Sequence, residues 1–292
     1  MKKLLVFLLA LLLTGCGASA PAEEPVRPDG LPAAPVELPE PVPEKWSFAV
    51  DLETTEGKIN SMDGIRLLEH SYQLPVMTVQ TESGGILMEG RTEEEERAVA
   101  VAQIFNDHFA EWRKPDALME LVETAQADLE FTQEAGGTWF NGYSYDLDCT
   151  VYRTERLVSV SGVYYTYTGG AHPNTYLLGW NFDLKNGCFV GAESLVGKED
   201  LRAAVTEELV RQAKERAAEY DLAPEDFFWA EYETILADWP SYAVTFDAEG
   251  MNVRYSPYEL AAYAAGPQEF YVDYGIMRPY LDADSLDLLG LN

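Results

Sequence analysis

Proline recurs eight times between residues 21 and 43, and this density limits what the N-terminal part of the chain can form. Proline lacks an amide hydrogen and fixes φ, so such a stretch cannot become a helix interior or a central strand. We expect residues 16–45 to form an extended, polyproline-like tether outside the folded part. The fold should therefore begin at Trp46.

The residues before the tether have the pattern of an export signal. Two lysines precede an uncharged apolar run at residues 4–13, which has the length of a signal-peptide core and is too short for a transmembrane helix. The run ends in Leu-Thr-Gly-Cys at residues 13–16, which resembles the lipobox of bacterial lipoproteins. The resemblance implies a signal peptide at residues 1–15 and a lipid on Cys16. We therefore expect a protein that is lipid-anchored at the extracytoplasmic face of the cell membrane, with an ordinary secretory signal as the alternative.

The chain is strongly acidic, with 50 acidic and 20 basic residues and a formal net charge of −30 at pH 7. Binding to nucleic acid needs a basic surface, so we exclude nucleic acid as a partner. A negative field attracts cations and basic proteins and speeds their encounter. The charge favours a basic partner, although solubility alone would also explain it.

Residues 46–292 mix strand-like and helical patterns, which we read from alternation and from helical spacing of apolar residues. A Thr-Glu-Glu-Glu sequence at residues 92–95 is a capping box that begins a helix, and Asn186-Gly187 predicts a hairpin turn. Strands are predicted at residues 46–55, 66–81, 143–151, 157–168, 176–184, 188–190, 242–247, 252–255 and 269–274, and helices near residues 92–112, 115–129, 199–220 and 224–238. These elements predict an α+β fold with antiparallel sheets and packed helices.

No group of residues has the spacing of a known catalytic or metal site. The three histidines form no zinc-binding His-Glu-x-x-His sequence, and the chain contains no Gly-x-Ser-x-Gly elbow, phosphate loop or dinucleotide fingerprint. We predict no catalytic residue, no metal site and no cofactor. The many acids still leave open an enzyme that uses paired carboxylates.

Two cysteines, Cys149 and Cys188, remain after Cys16. An even number of cysteines in an oxidising compartment is compatible with a disulfide between them. Cys149 also lies among apolar neighbours in a predicted strand, so a buried free thiol is the alternative.

A glycine-rich sequence, Thr-Gly-Gly-Ala-His-Pro-Asn at residues 168–174, joins two aromatic-rich strands. Paired glycines permit positive φ and close approach of the backbone. The segment is either a tight connection or a recognition loop that exposes one histidine beside tyrosines, which suit interfaces. The candidate binding residues are Thr168, Gly169, Gly170, Ala171, His172, Asn174, Tyr165, Tyr167, Tyr176 and Tyr258.

This loop and a distal segment resemble a known extracytoplasmic domain. The first reads Tyr-x-Tyr-Thr-Gly-Gly-Ala-His at residues 165–172, and the second reads Tyr-Glu-Leu-Ala-Ala-Tyr-Ala-Ala-Gly at residues 258–266. Together they are similar to the RsiV-like domain of unknown function, shared by the RsiV anti-sigma factor and the non-catalytic region of the PdaC deacetylase. The resemblance implies a two-part α+β fold, which we divide into subdomains at residues 46–182 and 183–292.

The resemblance also implies a class of function. In RsiV the extracytoplasmic region binds lysozyme, a basic enzyme, and the acidic charge of this chain would suit such a partner. We expect a membrane-anchored, non-catalytic binding module for a cationic protein such as lysozyme or for a cell-wall component. The alternative is a cell-wall polysaccharide hydrolase or modifying enzyme that uses acidic residues.

Overall fold

The computed structural model describes residues 45–113, 115–195 and 199–292. The predicted signal peptide, Cys16 and residues 16–44 of the predicted tether lie outside these residues. The strands are β1 (Trp46–Asn60), β2 (Arg66–Thr81), β3 (Tyr143–Arg153), β4 (Leu157–Tyr167), β5 (Asn174–Asp183), β6 (Cys188–Phe189), β7 (Ala243–Phe246), β8 (Gly250–Tyr255) and β9 (Gln268–Asp273). The helices are α1 (Glu93–Ala110), α2 (Pro115–Glu134), α3 (Ala192–Leu195), α4 (Glu199–Glu219), α5 (Pro224–Phe227), α6 (Tyr232–Ala237), α7 (Tyr274–Met277) and α8 (Ala283–Leu289).

The described strands form two sheets, one of six strands in the order β1-β2-β3-β4-β5-β6 and one of three in the order β7-β8-β9. Every pairing is antiparallel except that of β2 with β3, which is parallel. Parallel neighbours need a long connection, and α1 and α2 supply it. The predicted α+β class is confirmed, and the larger sheet is mixed instead of wholly antiparallel.

The first hydrophobic core lies between the six-stranded sheet and the helices α1 and α2. The capping box predicted at residues 92–95 is present, because the Thr92 side chain and the Glu95 side chain each accept from the other's backbone amide. Helical spacing then places Phe105 and Phe109 on the buried side of α1. The ring of Phe105 meets Phe182 of β5 at a centroid distance of 5.3 Å.

The second hydrophobic core lies between α4 and the three-stranded sheet. The side chains of α4 that face this core recur at the predicted helical spacing, and they are Leu201, Val205, Leu209, Ala213 and Ala217. They pack in one cluster with Val253, Tyr255 and Phe270 of the sheet. The described residues belong to one compact unit with two cores, in agreement with two subdomains. The boundary at residues 182 and 183 stays a prediction.

The two sheets meet through polar side chains. Ser159 of β4 accepts a hydrogen bond from the Phe246 amide and donates one to the Asn181 side chain, each at 2.8 Å. Asn181 in turn donates to the Val244 carbonyl at 2.9 Å. Around Ser159 and Asn181, α1 and α2 therefore cover one side of β4 and β5, and the smaller sheet covers the other side.

Cys149 and Cys188 are both free, so a disulfide between them is wrong for this structure. Cys149 lies buried in β3, and Cys188 lies exposed in β6. Two strands, β4 and β5, separate them in the sheet. At about 4.8 Å per strand the two backbones are about 14 Å apart, which is beyond the reach of a disulfide.

Candidate ligand-binding site

The loop between β4 and β5 extends from the end of two long strands. β4 ends at Tyr167, β5 begins at Asn174, and residues 168–172 between them are exposed. Gly169 and Gly170 have φ values of 89° and 88°, a region that favours glycine. A Cβ added at either position would meet nothing within 4 Å. The glycines are therefore needed for backbone conformation and not for a close approach.

The ring of His172 lies against the ring of Tyr263, which follows β8 in the chain. The two centroids are 3.9 Å apart and the planes are inclined by 22°. Nδ1 of His172 lies 2.9 Å from the Pro173 carbonyl oxygen, and because that oxygen only accepts, Nδ1 is assigned the hydrogen and donates. In the neutral ring, Nε2 then accepts from the Tyr258 hydroxyl at 3.5 Å.

We call His172, Tyr258 and Tyr263 the aromatic cluster. The Tyr258 and Tyr263 centroids are 5.6 Å apart, and the Tyr263 hydroxyl donates to the Pro173 carbonyl at 3.0 Å. Tyr258 is 54% exposed and His172 is exposed as well. Rings with polar ends pack against apolar surface and also exchange hydrogen bonds with a partner. The cluster therefore has the chemistry of a protein-binding surface.

Tyr258 has a backbone conformation that is uncommon for a tyrosine, with φ at 74°. Its amide donates to the Ala261 carbonyl at 3.1 Å, and its carbonyl accepts from the Trp229 indole at 2.9 Å. Leu260 and Ala261 beside it are buried in the second core. The surrounding structure thus holds Tyr258 in place, and residues held in such conformations concentrate at functional sites.

The structure brings several of the predicted binding residues to this region. His172 and Tyr258 are in contact, and the Tyr167 hydroxyl donates to the Gly170 carbonyl at 3.3 Å. Tyr165 is half-buried on the same side of β4 as Tyr167, because side chains two apart in a strand share a side. The remaining predicted positions of the loop are exposed at the surface, and they are Thr168, Ala171 and Asn174.

Tyr176 does not join these residues. It is directly opposite Tyr164 in the ladder, and the two rings stack at 6.1 Å. The Tyr164 ring also contacts Trp112, which follows α1, at 5.0 Å. Tyr176 therefore lies on the helix-covered side of the sheet, whereas Tyr165 is on the other side. Sequence reasoning also left Tyr263 out of the candidate residues, although the repeated tyrosine at residues 258 and 263 was a signal for it.

A cleft of about 870 Å³ lies elsewhere in the described residues. It is lined by residues of β1, α1 and the C-terminus around Arg156. The buried guanidinium of Arg156 is bound by three carboxylates, with distances of 2.8 Å to Asp183, 2.6 Å to Asp284 and 3.1 Å to Asp287. Because these carboxylates occupy the guanidinium, Arg156 ties α8 to β5 and is a structural group.

Neither a metal site nor a membrane span is found in the described part of the chain. No three His, Cys, Asp or Glu side chains there are placed so that they could hold a metal ion. None of the helices there has the length and apolar character needed to cross a membrane.

The comparisons with known proteins place the chain beside one family. Residues 194–275 match the model of DUF3298, described as a protein of unknown function. A DUF3298 family member from Bacteroides fragilis NCTC 9343 has a solved structure with a TM-score of 0.53 and 14% identity, over 84% of this chain and 97% of that chain. A DUF3298 family protein from Pseudomonas aeruginosa PAO1 has a TM-score of 0.46 and 16% identity, over 82% of this chain and 96% of that chain. A search of curated proteins found no match. The likeness to the first structure shows a shared fold.

Proposed function

We propose that this protein, whose residues 194–275 form a DUF3298 domain, is a non-catalytic binding module held at the extracytoplasmic face of the cell membrane. Its ligand is a cationic protein, for which lysozyme is the first probe. The observation that carries the proposal is the exposed aromatic cluster, in which two distant sequence segments meet at one surface. Both segments belong to the motifs that resemble the RsiV-like domain.

The charge of the chain supports a cationic partner. A formal net charge of −30 attracts a basic protein over long distances and raises the rate of encounter. The aromatic cluster then supplies short-range contacts, because exposed tyrosines contribute both apolar area and hydrogen bonds at interfaces. Steering by charge and holding by aromatic rings are separate contributions, so they can be tested separately.

The membrane anchor is a second part of the proposal and depends on Cys16. A lipid on this residue, together with the predicted tether at residues 16–45, would hold the domain at the membrane surface. A Cys16→Ala variant expressed in a bacterium should move from the membrane fraction to the soluble fraction. A Cys188→Ala variant removes an exposed thiol from the folded part and should stay with the membrane. Retention of the Cys16→Ala variant at the membrane would contradict the anchor.

Binding is tested by titration calorimetry on the soluble chain from residue 17 onward. With lysozyme at physiological salt we expect a complex of micromolar affinity or tighter. A Tyr258→Leu variant should weaken it at least about tenfold, as expected for an aromatic residue at the centre of an interface. Tyr220 lies at the end of α4 and is 62% exposed, so a Tyr220→Leu variant is the control and should bind as the wild type.

The same titration distinguishes the other interpretations. No complex with lysozyme at micromolar concentrations would contradict lysozyme as the partner. Binding of soluble cell-wall fragments instead would identify a wall ligand. Turnover of those fragments, lost when individual acids are replaced, would favour the enzyme alternative.

A further inference from the structure

One side of the six-stranded sheet carries a row of polar side chains near the β4–β5 loop. Side chains in register lie on the same side of a sheet, and Ser71 of β2, Asp146 of β3 and Tyr165 of β4 are in register. In the neighbouring row, Ser144 is in register with Tyr167. We call Ser71, Ser144, Asp146, Asp148, Tyr165 and Tyr167 the open face. α1 and α2 cover the opposite side of the sheet.

The open face borders a cleft of about 600 Å³, lined in part by Ser71, Ser144 and Asp146. The smaller sheet covers the same side of β4 further along, where Arg254 donates to Ser161 and Phe246 donates to Ser159. The side chains of Ser71, Ser144, Asp146, Tyr165 and Tyr167 are half-buried, and Asp148 is exposed. The cleft is therefore partly enclosed, whereas Asp148 beside it is accessible to solvent.

Negative charge on the open face is balanced only in part from within the described residues, since Lys58 and His70 line the same cleft. Glu69 beside it pairs with Lys58 at 2.6 Å and with Arg66 at 2.7 Å. Asp146 and Asp148 form no ion pair or side-chain hydrogen bond with any residue that the structure describes. Burial, followed by the charges of Asp148 and Glu69, raises the pKa of Asp146, and His70 offsets part of this rise. A cation placed here from outside would relieve this repulsion.

The neighbouring tyrosines indicate which kind of cation fits. Tyr165 is directly opposite Asp146 in the ladder, so an aromatic ring and a carboxylate are presented side by side. An aromatic face attracts an ammonium or guanidinium group, whereas a divalent metal ion needs several oxygen ligands. No group of three potential ligands for a metal occurs in the described ranges. The aromatic ring beside a carboxylate therefore favours an ammonium or guanidinium group over a metal ion.

We propose that the open face docks a lysine- or arginine-bearing segment of a protein partner, with Asp146 and Asp148 binding the cationic head and Tyr165 packing against it. The inference rests on the proposed function and adds a second contact surface beside the aromatic cluster. We assign the open face to a basic protein segment because the chain as a whole is acidic, so that the two charges are complementary.

The test is titration of the soluble chain with a poly-arginine peptide at physiological salt, with free spermine as the small-molecule comparison. An Asp146→Asn, Asp148→Asn variant should bind the peptide about tenfold more weakly, and Tyr165→Leu about threefold more weakly. Asp148→Lys, at an exposed position, should weaken it further by repulsion. The matched control is Glu120→Gln, Glu123→Gln, which removes two exposed charges from α2 on the opposite side of the sheet. It should change the affinity by less than about twofold.

Equal losses in the aspartate variant and in the α2 control would overturn the proposal, since binding would then depend only on total charge. Absence of peptide binding would overturn it too, as would spermine binding as tight as that of the peptide. The proposed function is judged separately with lysozyme. Lysozyme binding that Asp146→Asn, Asp148→Asn leaves unchanged keeps the proposed function and rejects the open face. Peptide binding at the open face without lysozyme binding keeps the open face and contradicts lysozyme as the partner.

Discussion

His172 and Tyr263 stack at a centroid distance of 3.9 Å with their ring planes inclined by 22°. The first residue lies in the loop between β4 and β5, and the second follows β8 in the other subdomain. The Tyr263 hydroxyl also donates to the carbonyl of Pro173, beside His172. This pair therefore fixes the exposed loop against the part of the chain that contains Tyr258.

The stacking of His172 on Tyr263 should appear as a coupling energy. We expect His172→Ala and Tyr263→Leu to be non-additive by about 0.5–1.5 kcal/mol in the free energy of unfolding, as for other ring pairs. Urea denaturation of both single variants and the double variant measures it. Tyr263→Phe keeps the ring and loses only the hydrogen bond to Pro173, so it should retain the coupling with His172→Ala. Additive effects within experimental error would contradict the stacking as a stabilising contact.

Replacement of Arg156 should cost far more stability than replacement of a surface arginine. The side chains of Arg156 and Asp183 are 7% and 3% exposed, and breaking such a pair leaves a buried charge. We expect Arg156→Met to lower the free energy of unfolding by about 3 kcal/mol. Arg211 forms pairs at 2.6 Å and 2.5 Å but is 52% exposed, so Arg211→Met should cost less than about 1 kcal/mol. Similar losses in the two variants would contradict this assignment.

The Asp183 carboxylate should make folding sensitive to acid. Burial alone would raise its pKa, but hydrogen bonds from Arg156 and from the amides of Asn186 and Lys185 outweigh burial and leave the pKa below its usual value. A lowered folded-state pKa stabilises the protein above the unfolded-state pKa of about 3.9, and this contribution is lost as the pH falls through the folded-state pKa. Chemical denaturation below pH 5 should show a shallower loss of stability for Asp183→Asn than for the wild type. Identical slopes would exclude Asp183 as a source of acid sensitivity.

Gly179 of β5 should be required for contact between the two sheets. A Cβ there would lie 2.8 Å from the Val244 carbonyl oxygen and 3.0 Å from the Val244 nitrogen. Because these are backbone atoms, we expect Gly179→Ala to destabilise the protein by about 1–3 kcal/mol. A Cβ at Gly191 would meet nothing within 4 Å, so Gly191→Ala is the control and should change stability by about 0.5 kcal/mol or less. Thermal unfolding of both variants checks this, and a neutral Gly179→Ala would contradict the close packing.

The local elements of the fold could be predicted because their signals lie within a few residues. Thr92 and Glu95 cap α1 as the capping-box sequence indicates, and Asn186-Gly187 forms the turn into β6, with Gly187 at φ 64°. The resemblance to the RsiV-like domain is supported by the DUF3298 match and by the shared fold. Lipidation of Cys16 and the identity of the partner stay predictions.

The candidate site was predicted only in part, because it depends on contacts between distant segments. The sequence singled out His172 and Tyr258 but gave no sign that they touch, and it grouped Tyr176 with Tyr165 although the sheet places them on opposite sides. Asp146 lies within the strand that the sequence predicts at residues 143–151, and nothing local to it indicates a neighbouring aromatic ring. Its place beside Tyr165 follows from the register of β3 with β4.

The sequence alone determined the acidic charge, the proline-rich stretch before the fold, and most of the helices and strands from Trp46 onward, because composition, backbone restriction and hydrophobic spacing are local properties. It did not predict α3, α7 or α8, and it predicted one helix near residues 224–238 where the structure has α5 and α6. The tertiary structure decided that β2 and β3 run parallel, that Cys149 and Cys188 lie too far apart to bond, and that His172 rests on Tyr263. Each of these depends on how the sheets pack and pair over long sequence separations, and the free energy of that packing is shared among many side chains at once.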